Sequence, residues 1–169
     1  EVHVAILSGA PTSTLRFGEL WHFFEQQLGY PASILGADYF DRVDLSGYDI
    51  LILPDGYGYR EFLNPERLQE IKDWVREGGQ LIAMGRSLQA LGGDDGFGIR
   101  RTGKASAGGD DLLSPYEDNR RNRVRNSITG AIFKARVDQT HPIAFGYPDA
   151  YYTLKRNSLA FSYLDTGSN

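Results

Sequence analysis

Apolar runs alternate with amphipathic stretches for most of this chain. Residues 2–7 are apolar apart from His3 and rich in β-branched side chains, the pattern of a strand buried on both faces. Ser8-Gly9-Ala10-Pro11 breaks it. Phe17, Leu20, Trp21, Phe24 and Leu28 then recur at helical spacing and predict one apolar face, closed by Gly29. Residues 32–35 suit a short strand, and 39–45 an irregular turn or single helical turn. Residues 50–53 (Ile-Leu-Ile-Leu) predict a second buried parallel strand, and Pro54-Asp55-Gly56 the turn after it. Asn64 followed by Pro65 marks a helix start, with Leu68, Ile71, Trp74 and Val75 as its inner stripe and Gly78-Gly79 as its end.

The stretch 77–91, EGGQLIAMGRSLQAL, organises the rest. It reads as a strand over 80–84, a sharp turn at Gly85 and a helix opening near Ser87. The alternation predicts an α/β fold: a mostly parallel sheet with helices on both faces, a flavodoxin-like three-layer α/β/α sandwich. Residues 92–125 break the pattern with seven glycines, seven Lys/Arg and six Asp/Glu, and predict a long, partly disordered excursion. Order is expected again from Ile128, with strands over 132–137, 151–154 and 159–164.

Composition narrows the chemistry. At 169 residues the expectation is one domain, and the ends read as those of a domain cut from a longer protein. A net charge of −4 gives no general attraction to nucleic acid, and the basic run 120–125 is offset by acidic residues nearby. No apolar run approaches the roughly 20 residues of a membrane span. The chain contains no cysteine, so disulfides, thiol nucleophiles and thiolate metal sites are excluded.

Four strings resemble a known family: GELWHFFEQQLGYP, YDILILPDG, EGGQLIAMG and SITGAIFKARVDQTHPIAFGYPDAYYTLKRNSLAF. Together they are similar to the domain that follows the catalytic domain of bacterial zinc carboxypeptidases. That domain is itself similar in fold to class I glutamine amidotransferases. The resemblance implies a glutamine amidotransferase-like, non-catalytic accessory domain. Its partner would be the peptidase domain of the same chain, with zinc held there and no cofactor here. It also implies a periplasmic or secreted location. The amidotransferases carry a cysteine at the strand-to-helix elbow, paired with a downstream His and Glu. Here the elbow is Gly85, and His141-Pro142 is followed by Ile143. The resemblance therefore implies a pseudoenzyme.

Other constellations are weaker. His22 and Glu25 have the H-x-x-E spacing of zinc ligands, but a site needs three well-placed ligands, and these two fall in an amphipathic helix. Ser87 lacks the second glycine of a G-x-S-x-G elbow, because Gln89 stands there, and reads as a helix cap. Asp55, Gly56, Gly85, Arg86 and Ser87 should meet at the carboxyl edge of the sheet. There they form either a crevice for a small molecule or anion, or a plain Arg86–Asp55 ion pair. Tyr147 and Tyr151 are candidates for an interface with the peptidase domain or a second copy, or else for the core.

Overall fold

The structure is a computed structural model that describes residues 2–93, 96–102, 130–140, 144–155 and 159–162. Its contacts divide the chain into two compact units, residues 1–101 with 161–169, and residues 102–160.

The first unit is an α/β fold around four parallel strands: β1 (Val4–Ser8), β2 (Ala32–Gly36), β3 (Ile50–Leu53) and β4 (Gln80–Ala83). Their order in the sheet is β2-β1-β3-β4, the flavodoxin-like arrangement, with β1 pairing both β2 and β3. The strand period of two sends alternate residues to opposite faces. Val4, Ile6 and Ile52 meet Phe17, Leu20, Phe24 and Tyr30 on one face. Ala5, Leu7, Leu51 and Leu53 meet Phe40, Phe62, Ile71 and Trp74 on the other. This makes the three layers that the apolar runs predict.

Helix α1 (Thr14–His22) does not continue in α geometry to Gly29. Phe23–Leu28 forms a π-helical segment, whose wider turn rotates the later residues off the 3.6-residue stripe. Leu28, expected on the buried face, is therefore 56% exposed. Tyr30 packs there instead, its N–H bonded to the Phe24 carbonyl at 2.9 Å. Gly29 does end the segment, in the left-handed conformation at φ 60° that favours glycine. On the opposite face, 3₁₀ turns at Ala37–Arg42 and Leu45–Gly47 fill the β2–β3 connection.

Helix α2 (Tyr59–Phe62) has no counterpart in the sequence reading; Tyr59, Phe62 and Leu63 bury one side of it. Helix α3 (Pro65–Arg76) starts as the sequence predicts, the Asn64 side chain accepting the Arg67 N–H at 2.9 Å. Such a cap contributes about 1 kcal/mol, less than the roughly 1.5–3 kcal/mol from burying each of Ile71 and Trp74, so packing sets the helix's place. Gly79 matters at its end: a Cβ there would lie 2.2 Å from the Trp74 ring. Helix α4 (Ser87–Ala90) follows β4.

In the second unit, Ala131–Arg136 and Ala150–Lys155 pair antiparallel, with Ala135 opposite Tyr151 and Phe133 opposite Thr153. The expected excursion over 92–125 lies outside the described residues from 103 onward. So do the basic run 120–125 and His141. The part that is described folds back locally, through a bridge between Gly92 and Ile99.

Candidate functional site

The carboxyl ends of β1, β3 and β4 bring the sequence-predicted residues together. In an open parallel sheet of this order a ligand crevice is expected where the chain reverses direction, between β1 and β3. Here that gap is closed by backbone. The Ser13 N–H donates to the Asp55 carbonyl at 3.1 Å, the Tyr57 N–H donates to the Pro11 carbonyl at 2.9 Å, and Thr12 bridges Gly56. Gly56 permits this approach, since a Cβ on it would lie 2.0 Å from the Pro11 oxygen. Gly56 is thus part of a seam between two loops, and it also borders the open hollow beside Arg86.

Side chains reinforce the seam. The buried Tyr59 hydroxyl donates to the Pro54 carbonyl at 2.7 Å and shares a 2.9 Å hydrogen bond with Thr12 Oγ1. Burial disfavours the phenolate and pushes the Tyr59 pKa up to about 12; the Thr12 hydrogen bond opposes the shift and the Asp55 charge adds to it.

At the elbow after β4, Gly85 adopts φ +62°, a left-handed conformation that suits glycine. The space above it is taken. A Cβ on Gly85 would lie 2.6 Å from Asp55 Cγ and 2.7 Å from Asp55 Oδ1. Asp55 is held there because Oδ1 accepts the Arg86 N–H at 2.9 Å and Oδ2 lies 3.5 Å from Arg86 Nη2. Gly85 thus carries no side chain at the elbow, and a carboxylate from the neighbouring strand end fills the space beside it.

Ser87 is not the N-cap. It is the first residue of α4, with Arg86 in the cap position and no side-chain cap bond there. Its hydroxyl is fully buried, lies 3.1 Å from the Leu53 carbonyl and 2.9 Å from the Met84 carbonyl, and accepts the Met84 N–H at 2.9 Å. It ties the ends of β3 and β4 together. The hydroxyl expected from sequence to cap the helix is used instead in this clasp between the two strand ends.

Arg86 faces outward. Its guanidinium lies 3.8 Å from the centre of the Tyr57 ring, a cation–π contact beside the Asp55 pair. Together with Arg60, Glu61 and Gln89 they surround an open hollow of about 210 Å³. Asp55 and Arg86 meet as the sequence predicts, while Tyr57, Arg60 and Gln89 were not anticipated. Their signal was the apolar spacing of Tyr59, Phe62 and Leu63, which makes residues 59–62 helical and turns Arg60 to the rim.

The remaining candidates stand apart. His22 and Glu25 are exposed, and no group of three His, Asp or Glu side chains suited to a metal gathers among the described residues. No helix among them is long and apolar enough to cross a membrane. In the second unit Tyr147 and Tyr151 are 54% and 51% exposed, their rings meeting edge to face at 5.8 Å. Compared with known proteins, the chain matches no protein-family model and no curated sequence.

Proposed function

We propose that this chain is a non-catalytic, amidotransferase-like accessory domain of an exported zinc carboxypeptidase. One observation carries the non-catalytic part: the Asp55 carboxylate occupies the space over Gly85 in which an elbow nucleophile would stand. The attachment to a peptidase rests on the resemblance of the four strings quoted above, as does a periplasmic or secreted location. In this reading the peptidase domain holds the zinc and this domain holds no cofactor. The half-exposed Tyr147 and Tyr151 supply rings of the kind that anchor interfaces, toward that domain or a second copy.

The test is to produce the peptidase domain with and without this chain attached. Attachment should raise the peptidase domain's thermal midpoint or change its kcat/KM, while the chain alone hydrolyses neither glutamine nor a carboxyl-terminal peptide bond. Glutaminase activity in the isolated chain would refute the reading, and so would a peptidase domain indifferent to attachment.

A second reading is a small-anion-binding domain. It is favoured by Arg60, which lines the hollow and makes no ion pair among the described residues.

A further inference from the structure

Two opposite charges line the open hollow beside Arg86 without meeting. Arg60 and Glu61 are consecutive residues of α2 and both border it, yet no ion pair joins them. The Glu61 carboxylate folds back over the turn before the helix: a Cβ on Gly58 would lie 3.1 Å from Glu61 Oε2. The Glu61 N–H donates to the Gly58 carbonyl at 3.1 Å, which ties the residue to that turn. The other cation on the lining, Arg86, is already engaged by Asp55 and by the Tyr57 ring.

This pair of charges selects by sign. A simple anion drawn to Arg60 meets the like charge of Glu61, and a simple cation drawn to Glu61 meets Arg60. A molecule with an ammonium and a carboxylate on one carbon answers both at once. An arginine fork also matches a carboxylate in two parallel hydrogen bonds. The rest of the lining fits such a molecule. Tyr57 is 75% exposed and offers an aromatic surface, its backbone held by the N–H bond to the Pro11 carbonyl. Gln89, half-buried, adds a carboxamide that both donates and accepts. A volume of about 210 Å³ lies below the roughly 300–1,000 Å³ of drug-sized ligand sites, so the space suits an amino acid better than a nucleotide.

We propose that this hollow binds a free α-amino acid with an aromatic side chain, as the zwitterion. Its carboxylate pairs with Arg60, its ammonium with Glu61, and its ring lies against Tyr57. This rests on the anion-binding reading, which it narrows from any small anion to one that also carries a positive charge.

Calorimetric titration of the full chain with phenylalanine tests it, with three probes in parallel: N-acetylphenylalanine without the ammonium, phenethylamine without the carboxylate, and alanine without the ring. Phenylalanine should bind saturably at millimolar concentration or below, and each of the others at least tenfold more weakly. Glu61→Gln should weaken phenylalanine at least tenfold and strengthen N-acetylphenylalanine, because the like charge is gone. Arg60→Gln should weaken phenylalanine by as much and strengthen phenethylamine. Neither should move the thermal midpoint, since both side chains are exposed. N-acetylphenylalanine binding as tightly as phenylalanine would overturn the zwitterion and leave the anion-binding reading standing. Phenethylamine binding as tightly would overturn both, as would absence of binding by every probe. Alanine binding as tightly would remove the aromatic class, and normal phenylalanine binding by either variant would refute the paired charges.

Discussion

The carboxylate of Asp55 and the backbone of Gly85 compete for one volume: a Cβ on Gly85 would stand 2.6 Å from Asp55 Cγ. Gly85→Ala therefore adds a left-handed penalty of about 1–2 kcal/mol to an overpacking cost of about 1–3 kcal/mol. Asp55→Ala removes the obstacle and also the acceptor of the Arg86 N–H. In urea denaturation the two single losses should exceed the loss of the double variant by at least about 1 kcal/mol, the mark of coupled neighbours. Strict additivity would mean that Asp55 moves aside freely.

This pair also shows where the sequence was legible. Residues 50–53 are apolar at every position because the strand is buried on both faces, so Ile50–Leu53 is recovered to the residue. Asn64-Pro65 announces its helix because capping is local chemistry. The meeting of Asp55 with Arg86 follows from sheet order, since both lie just past adjacent strand ends. What did not show was non-local or off-period. The π-helical turn at Phe23–Leu28 breaks a stripe that periodicity alone continues to Leu28. The clasp of Ser87 on the Leu53 carbonyl spans 34 residues. The seam at Gly56 depends on a backbone approach to Pro11 that no composition signals.

Ser87→Ala removes a buried hydroxyl that serves Leu53, Met84 and the turn between them. The Leu53 and Met84 carbonyls each keep a backbone donor, the Met84 and Ser87 N–H groups, so the expected cost is that of one buried hydroxyl's bonds, about 0.5–1.5 kcal/mol. Equilibrium denaturation measures it, and hydrogen exchange should show the loss at the Met84 amide. A loss below about 0.5 kcal/mol would mean that water or a backbone shift replaces the clasp.

Tyr59 gives the fold an alkaline limit. Its pKa is raised in the folded state from 10.0 to about 12, chiefly by burial. Between those values the folded chain keeps a proton that the unfolded chain has lost. The stabilisation is thus complete below pH 10 and declines as pH rises toward 12, by about 2–3 kcal/mol at most for a shift of this size. Tyr59→Phe should be less stable than the parent at pH 8 by about 1–2 kcal/mol, through the lost bonds to Pro54 and Thr12, and should lack this alkaline decline. Parallel pH profiles for the two proteins would refute the assignment.

The last prediction separates a ring that folds the domain from one that docks it. Tyr151 sits opposite Ala135 in the antiparallel ribbon, is 51% exposed, and leans on Tyr147 edge to face at 5.8 Å. An aromatic pair of this kind is worth about 0.5–1.5 kcal/mol beyond its burial, and burial here is only half complete. Tyr151→Ala should therefore lower the isolated chain's stability by no more than about 1 kcal/mol. If the ring anchors an interface, the same substitution should weaken association with the peptidase domain at least tenfold, or dissociate a self-associated form in sedimentation. The two measurements work against each other by design. A folding loss of about 3 kcal/mol, as for truncating a core aromatic, would assign Tyr151 to the core and remove the ribbon as a docking surface.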